Sequence, residues 1–320
     1  MSGDIVAVAA AVVLRPDGQV LLAQRPAGKA YAGYWEFPGG KLEAGETPRL
    51  ALDRELSEEL GVTVRWAAPW LVQRYRYPHA HVELNFFRVF EWDGEPVGRD
   101  GQALAWQWPA KIDVRPLLPA NAFVLRALLL PPIYGITMAE DLGEPEFLAG
   151  AKAALDNGLR LIQLREKDWP AERQRTFTEA LVALAHAYGA NVLLNGDVGR
   201  ARAWGCDGVH WTSAALAAAE ARPDGMLCAA SCHTRAEIEK AGDLGLDFAV
   251  LGPVYPTPSH PGAEALGWDG FAAIAAGTPL PIYSLGGLQP RDLDVAIMHG
   301  AHGIALRRAA WPLAPPVPGR

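Results

Sequence analysis

The chain has 320 residues and a formal net charge of −7 at pH 7, with 20% charged and 50% hydrophobic residues. This length exceeds that of one ordinary domain and predicts two domains, each large enough for its own core. The negative charge argues against binding along a nucleic-acid polymer or an anionic membrane, because both attract basic patches. Any nucleotide partner is therefore expected to be small.

Cysteine usage and hydropathy favour a cytoplasmic location. Cys206, Cys228 and Cys232 lack the spacing of a zinc site and are expected to be small core residues. Neither a signal peptide nor a long apolar span is recognised in the sequence. We therefore expect a protein of the reducing cytoplasm.

Short apolar runs predict a mixed sheet in the first part of the chain. The runs at residues 5–14 and 20–24, separated by the turn Pro16-Asp17-Gly18, are typical of a β-hairpin. Further strands are predicted at residues 62–72, 81–90 and 103–108, with a short closing helix at residues 121–130.

A longer helix is predicted from Pro48 to Leu60. Thr47 is a natural N-cap, and proline is favoured at the first helical position. The leucines at positions 52, 56 and 60 recur every four residues and predict a buried stripe. The helices and strands together predict an α/β domain with a mixed sheet flanked by helices.

Three glutamates, Glu55, Glu58 and Glu59, lie side by side on the neighbouring face of this helix. Their mutual repulsion has to be offset by Arg54, by other bases or by a hard divalent metal such as Mg²⁺, which prefers oxygen ligands. A solvated acidic helix face is the ordinary explanation of a glutamate-rich run. A magnesium site for cleaving phosphate chains is the alternative, and the spacing favours it.

The remainder of the chain alternates regularly between strands and alanine-rich helices. The proline-rich stretch Leu130-Pro131-Pro132 predicts a boundary between domains at 1–130 and 133–320. Eight strands are predicted, near residues 133–138, 159–165, 191–195, 207–211, 227–232, 248–254, 281–285 and 303–307. Eight β/α units predict a (β/α)8 TIM barrel, with its active site at the C-terminal ends of the strands. The turn Gly286-Gly287 and the end of strand eight near Arg307 are places where such barrels hold phosphate.

The stretch from Gly40 to Val62 matches the pattern G-x5-E-x7-R-E-U-x-E-E-x-G-U, in which U is aliphatic. The specified positions are filled by Gly40, Glu46, Arg54, Glu55, Leu56, Glu58, Glu59, Gly61 and Val62. This is the pattern of the Nudix hydrolases. Residues 1–130 resemble the MutT-type members, which remove diphosphate from oxidised purine nucleoside triphosphates, and the likeness extends to residues 35–41, 92–102 and 119–121.

This resemblance implies a Nudix α/β/α sandwich and a set of site residues. Divalent metal, Mg²⁺ or alternatively Mn²⁺, would be held by the Gly39 carbonyl, Glu55, Glu58, Glu59 and Asp100. Arg54 would orient a carboxylate, so that Arg54, Glu55, Glu58 and Asp100 form the catalytic group. The damaged base would contact Arg25, Phe37 and Asn121. Asp100 departs from the family, which usually has Glu at that position, and Asn121 taken alone could equally be a helix N-cap.

Residues 133 to about 312 resemble the thiamine-phosphate synthase superfamily, and more closely its TenI-like branch. The shared segments are residues 134–137, 163–167, 207–210, 231–233, 251–257, 286–287 and 300–305. The resemblance implies a site for a phosphorylated or thiazole-like ligand. Its residues would be Arg165, Lys167, Asn195, Ser231, Gly286 and Gly287.

Several catalytic positions of that superfamily are altered in this chain. Gly196 and Ala215 stand where the synthase has acidic residues, and His260 stands where it has a substrate-binding Lys. Pro253 replaces the catalytic His that the TenI branch has after strand six. These changes predict a barrel without thiamine-phosphate synthase activity.

The sequence therefore predicts a Mg²⁺-dependent nucleoside-triphosphate pyrophosphohydrolase. Its expected reaction converts 8-oxo-dGTP to 8-oxo-dGMP and diphosphate. Such a reaction removes oxidised nucleotides from the nucleotide pool and is a role in DNA repair. The alternative is hydrolysis of thiamine-type diphosphates, with the barrel sensing or processing the thiazole part. In a third version the barrel is a non-enzymatic module that binds a ligand or regulates the hydrolase.

Overall fold

The computed structural model describes residues 5–78, 80–257 and 264–312. The chain forms two compact units. One consists of Met1–Leu130 with Ala276–Pro279, and the other of Pro131–Ala275 with Leu280–Arg320. Among the described residues, no helix is long and apolar enough to cross a membrane.

The first unit contains two sheets and two helices. In chain order the elements are β1 (Ile5–Val13), β2 (Val20–Gln24), β3 (Trp35–Glu36), β4 (Gly39–Lys41), α1 (Pro48–Leu60), β5 (Thr63–Arg76), β6 (His81–Asp93), β7 (Leu104–Gln107) and α2 (Asn121–Ala127). A four-stranded sheet has the order β4-β1-β6-β5, and a three-stranded sheet has the order β3-β2-β7. Strand β1 runs parallel to β6 and antiparallel to β4, so the predicted mixed sheet is confirmed.

The predicted hairpin of β1 and β2 is wrong, because the two strands belong to different sheets. The turn itself forms, with the Arg15 N–H donating to the Gln19 carbonyl at 2.9 Å. An isolated antiparallel bridge joins Leu14, just after β1, to Val20. Strand β1 pairs along its whole length with β6, a distant partner that local alternation cannot reveal.

Helix α1 has the predicted limits and the predicted N-cap. The Thr47 hydroxyl accepts a hydrogen bond from the Leu50 N–H at 3.3 Å. The helix ends at Gly61, whose φ of 72° lies in the left-handed region that glycine adopts without strain. Leu52, Leu56 and Leu60 are fully buried, as the stripe predicted. The neighbouring face of the helix therefore carries the glutamates.

The second unit is a closed barrel of eight parallel strands, as predicted. Its strands are β8 (Ile133–Ile136), β9 (Leu161–Leu164), β10 (Asn191–Asn195), β11 (Gly208–Trp211), β12 (Leu227–Cys232), β13 (Phe248–Leu251), β14 (Ile282–Leu285) and β15 (Gly303–Leu306). Strand β15 pairs with β8 and closes the barrel.

Helices cover the outside of the barrel. They are α3 (Ala139–Leu142), α4 (Glu144–Asp156), α5 (Ala171–His186), α6 (Val198–Ala203), α7 (Ser213–Ala218), α8 (Arg235–Asp243), α9 (Gly267–Ala275) and α10 (Leu293–Met298). Their apolar faces pack with the strands into one large core. Inside the barrel, the rings of Tyr134, Phe248 and Tyr283 meet edge-on or tilted, with centroids 5.0–5.8 Å apart. The interior is therefore filled, and the open end of the strands is left for a ligand.

Candidate functional site

The first candidate site includes β4, where two glycines allow close contacts. Gly39 lies against the backbone of β1, and Gly40 lies against the carboxylate of Glu55. At Gly39 the φ is 142°, and a Cβ there would overlap the Ala9 carbonyl oxygen of β1. At Gly40 a Cβ would overlap the carboxylate of Glu55. Both positions therefore need glycine, the first for the sheet and the second for the position of the Glu55 side chain.

Arg54 ties together the carboxylates on one side of α1. Its Nε and Nη2 donate to the two oxygens of Glu46 at 2.8 and 2.9 Å, and its Nη1 donates to Glu55 at 2.9 Å and to Glu58 at 3.2 Å. Hydrogen bonding to Arg54 lowers the pKa of Glu46 to about 2. The same carboxylates raise the pKa of the Arg54 guanidinium. Arg54 thus contacts Glu46, Glu55 and Glu58 at the same time.

Glu59 and Asp100 lie on the other side, next to Lys29. The Lys29 Nζ is 3.7 Å from Glu59 Oε1 and 3.9 Å from Asp100 Oδ2. Burial is the largest cause that raises the pKa of Glu59, and with the carboxylates of Glu55, Glu36 and Asp100 it brings that pKa to about 7 against the opposing charge of Lys29. These carboxylates therefore share one electrostatic environment.

The loop that carries Asp100 is docked on the end of α1. The Arg99 N–H donates to the Glu59 carbonyl at 2.9 Å. The Gln102 side chain donates to the same carbonyl at 3.1 Å and accepts from the Asp100 N–H at 2.8 Å. Asp100 is therefore held beside the glutamate helix by backbone contacts, although it is far away in sequence.

The donor chemistry fits a hard divalent cation, because carboxylate and carbonyl oxygens are its preferred ligands. As the side chains stand, no three Asp, Glu, His or Cys residues in the described part of the chain are gathered tightly enough to hold a metal ion. Arg54 holds Glu55 and Glu58, whereas Lys29 lies beside Glu59 and Asp100. Two cationic side chains therefore neutralise the predicted metal ligands in two separate groups.

The structure also places the residues predicted to contact a base. Asn121 is 4% exposed, and its Nδ2 donates to the Trp35 carbonyl at 3.4 Å. The N-cap alternative for Asn121 is wrong, because Ala120 is the N-cap residue and no side chain caps α2. Phe37 is buried and packs edge-on against Phe86, with the ring centroids 6.0 Å apart.

Arg25 is more constrained than its predicted role suggests. Its Nη1 donates to both Glu36 oxygens at 2.6 and 2.7 Å, and its Nε donates to the Ala30 carbonyl at 2.7 Å. Burial raises the pKa of Glu36, and the charge of Arg25 opposes that shift. Arg25 is therefore part of a fixed ion pair that shapes the loop at residues 26–33.

Sequence reasoning missed an aromatic group on this part of the unit. The ring of Tyr77 lies 4.6 Å from that of Tyr75 and 5.4 Å from that of Tyr31. Burial raises the pKa of Tyr77 to about 12. The signal that could have found these residues is the spacing of Tyr75 and Tyr77, which places them on one face of an extended chain.

A second candidate site lies at the C-terminal ends of the barrel strands. A cavity of about 470 Å³ is lined there by all six predicted ligand residues, namely Arg165, Lys167, Asn195, Ser231, Gly286 and Gly287. Arg307 and Arg308 also line it, and none of its described lining residues is Asp or Glu. The structure thus gathers four cationic side chains around a space without a carboxylate, which favours an anionic ligand.

A buried histidine that sequence reasoning did not single out lies at the base of this cavity. The His210 Nε2 is 2.9 Å from the Ser231 Oγ, and its Nδ1 is 3.2 Å from the Tyr134 hydroxyl. Burial and the nearby charge of Arg165 lower the pKa of His210 to about 3. His210 is therefore neutral at physiological pH and orients the Ser231 hydroxyl.

Three of the four positions at which the barrel departs from its superfamily, Gly196, Ala215 and Pro253, lie in the described part of the chain. Gly196 has a φ of 123°, a region that side chains rarely adopt, and Ala215 is in the first turn of α7. Asp197, which sequence reasoning did not weigh, lines an adjoining cavity and caps α6 by accepting from the Arg200 N–H at 2.7 Å. Pro253 lines the main cavity, whereas His260 lies outside the described residues.

Comparison with known proteins assigns each part of the chain. The family model described as NUDIX domain matches residues 4–128, and the one described as thiamine monophosphate synthase (TMP-TENI) matches residues 133–310. An 8-oxo-dGTP diphosphatase of Haemophilus influenzae is 41% identical over 40% of this chain and 95% of its own length. A Geobacter sulfurreducens protein with the provisional name thiamine-phosphate synthase is 39% identical over 54% of this chain and 84% of its own length.

A solved structure of a thiamine phosphate pyrophosphorylase from Pyrococcus furiosus is also similar. Its sequence identity is 26%, and its TM-score is 0.47 over 55% of this chain and 84% of that one. The chain belongs to the Nudix hydrolases through residues 4–128, as a hydrolase of diphosphate bonds, and to the thiamine monophosphate synthase family through residues 133–310.

Proposed function

We propose that residues 1–130 act as a Mg²⁺-dependent pyrophosphohydrolase that converts 8-oxo-dGTP to 8-oxo-dGMP and diphosphate in the cytoplasm. The observation that carries this proposal is that the docked loop brings Asp100 to the end of α1, where Asp100 and Glu59 lie beside the same cation, Lys29. The names of the relatives support the substrate, since the similar proteins of Haemophilus influenzae and Escherichia coli are both named 8-oxo-dGTP diphosphatase.

The proposed ligands of Mg²⁺, or alternatively Mn²⁺, are Glu55, Glu58, Glu59, Asp100 and the Gly39 carbonyl. When bound, such an ion neutralises phosphate charge and makes a coordinated water more acidic. The protein groups have their own tasks. Arg54 holds Glu55 in one orientation through a 2.9 Å hydrogen bond, and a carboxylate of the cluster takes the proton of the attacking water.

A substrate panel tests this function directly. 8-oxo-dGTP, dGTP and thiamine diphosphate are compared at equal Mg²⁺ concentration, and released diphosphate or phosphate is measured. We expect the highest kcat/KM for 8-oxo-dGTP. A preference for thiamine diphosphate would instead support the alternative, in which both parts of the chain serve thiamine metabolism.

We further propose that Asn121, with Arg25 and Phe37, recognises the oxidised base. An amide carries both a donor and an acceptor, so a buried Asn can read a purine edge. Asn121→Ala is expected to lower the preference for 8-oxo-dGTP over dGTP about tenfold, the size of one hydrogen bond of about 1.4 kcal/mol. Hydrolysis of dGTP should change little, because phosphate chemistry uses other groups.

Asn85 offers a matched control for this experiment, since its Nδ2 donates to the Val8 carbonyl at 3.3 Å. Asn85→Ala removes a similar amide from the same unit and should leave the kcat/KM ratio of the two nucleotides unchanged. Equal loss of selectivity in the two variants would show that Asn121 has no special role in base recognition.

For residues 133–320 we propose a separate domain that binds a phosphorylated or thiazole-like ligand without thiamine-phosphate synthase activity. Four cations line the cavity, and its described lining holds no carboxylate that could retain Mg²⁺ against a departing diphosphate. Glu166 and Asp197 line the adjoining cavity. The two Glu166 oxygens already accept from the backbone N–H groups of Ala139 and Glu140, and the Asp197 Oδ1 is already used to cap α6. Cations and backbone N–H groups attract an anion without a metal.

This proposal predicts that binding and turnover separate. The full chain carrying Glu58→Gln, which prevents the first unit from consuming diphosphates, is mixed with thiazole phosphate, the pyrimidine diphosphate and Mg²⁺. We expect saturable binding of thiazole phosphate by calorimetry and no thiamine phosphate by chromatography. Arg165→Gln should weaken the binding about tenfold, as loss of a charged hydrogen bond does. Robust Mg²⁺-dependent product formation would contradict the proposal.

A further inference from the structure

The loop between β2 and β3 brings one cation to the acidic cluster of the first unit. The Lys29 Nζ lies 3.7 Å from Glu59 Oε1 and 3.9 Å from Asp100 Oδ2. The Glu59 side chain is 17% exposed, whereas those of Lys29 and Asp100 are 50% and 52% exposed. The ammonium group therefore lies at the open side of the cluster, where a solute would arrive.

The backbone of this loop is held by hydrogen bonds, whereas the Lys29 ammonium is held by two longer ionic contacts. The Gly33 N–H donates to the Arg25 carbonyl at 2.9 Å, and the Gln24 side chain donates to the Gly33 carbonyl at 3.0 Å. Both contacts of Lys29 are longer than a hydrogen bond and are purely ionic. The four-carbon side chain of lysine is flexible, so the ammonium group can move while the backbone of Lys29 stays in place.

Lys29 and a divalent ion compete for the same oxygens. Glu59 and Asp100 are two of the proposed Mg²⁺ ligands. A divalent ion held by both carboxylates would repel the ammonium group, which lies 3.7 Å from a Glu59 oxygen and 3.9 Å from an Asp100 oxygen. The Lys29 side chain then has to leave its partners.

We propose that Lys29 is an exchangeable counter-cation, which neutralises Glu59 and Asp100 in the metal-free enzyme and contacts the polyphosphate of the substrate once metal is bound. This inference rests on the proposed hydrolase function, because the polyphosphate has to lie at the metal. The released ammonium remains tethered at the open side of the cluster, and a compact ammonium is a suitable point charge for phosphate oxygens. Lys29 is thus a substrate-binding residue for which the Glu59–Asp100 pair is the resting position.

The two halves of the proposal predict opposite effects of Lys29→Gln. In calorimetric titration of the full chain with Mn²⁺ alone, the variant should bind the ion about two- to fivefold more tightly, because an exposed competing ion pair is lost. With metal saturating, its KM for the nucleoside triphosphate should rise about tenfold, because a charged contact to phosphate is missing. A purely structural role would not improve one affinity while weakening the other.

Two further variants complete the test. Lys111→Gln removes a lysine elsewhere in the same unit and should change neither quantity, whereas Lys29→Arg keeps the charge and should restore both. Unchanged or weaker Mn²⁺ affinity in Lys29→Gln would overturn the counter-cation role. Tighter Mn²⁺ binding with an unchanged KM would overturn the phosphate contact. Because the titration contains no nucleotide, it stands even if the wild-type chain hydrolyses a different diphosphate compound.

Discussion

Glu58→Gln should lower kcat/KM for the nucleoside triphosphate by at least about a hundredfold, because it removes a charge needed for metal-assisted hydrolysis. Glutamine keeps the size of the side chain. Glu58 is 62% exposed and touches Arg54 at 3.2 Å, so the loss of this surface ion pair should cost only about 0–1 kcal/mol of stability. Steady-state kinetics at saturating Mg²⁺ measure the first effect, and thermal unfolding measures the second.

Glu91→Gln is the matched control, because Glu91 is an exposed residue of β6 in the same unit. It removes the same charge away from the cluster and should leave kcat/KM unchanged. Near-normal turnover by Glu58→Gln with bound Mg²⁺, or an equal loss in both variants, would show that Glu58 is not a site residue.

Elements governed by neighbouring residues could be predicted from the sequence. The limits of α1 follow from Thr47, Pro48 and Gly61, which act within one turn of the helix ends. The barrel strands could be predicted from short apolar runs between helical segments. Strands that follow one another in the sequence are also neighbours in the barrel. These signals depend on residues close together in the sequence, so they can be recognised without the structure.

Pairing between distant segments could not be predicted in the same way. Strand β1 lies next to β6 and β4 rather than β2, although the turn between β1 and β2 has the expected residues. The residues Pro16, Asp17 and Gly18 determine the turn, but they do not determine the sheet to which each flanking strand belongs. The N-cap alternative for Asn121 fails for a similar reason, since its amide donates to the carbonyl of Trp35, 86 residues away.

The candidate sites show the same division. The glutamates of α1 share a face through helical spacing alone. The barrel ligand residues meet because they lie at or just after the C-terminal ends of four parallel strands, β9, β10, β12 and β14. The contacts of Lys29 and His210 could be found only in the folded structure. Folding places Lys29 beside Glu59, and it places His210 between Tyr134 and Ser231. Residue type and spacing therefore predict a class of chemistry, whereas tertiary contacts decide which charges are already neutralised.

Gly40→Ala is expected to abolish most hydrolysis with little effect on folding. A methyl group at this position would overlap the carboxylate of Glu55, which would have to move away from Arg54. The backbone at Gly40 is not in the left-handed region, and the obstructing group is the end of a flexible side chain, so the fold can adapt. The free energy of unfolding should fall by about 1 kcal/mol, the size of one hydrogen bond. The kcat/KM should fall by at least about a hundredfold.

A double-mutant cycle separates this explanation from a general disturbance of the loop. If Gly40→Ala acts by displacing the Glu55 carboxylate, combining it with Glu55→Gln should lower kcat/KM no further than Glu55→Gln alone, because both changes remove the same group from the same place. Gly150→Ala in α4, where a Cβ would meet its nearest neighbour at 3.5 Å, controls for the added methyl group. Additive losses, or turnover by Gly40→Ala within about twofold of wild type, would mean that hydrolysis does not depend on the position that Arg54 and Gly40 give to Glu55.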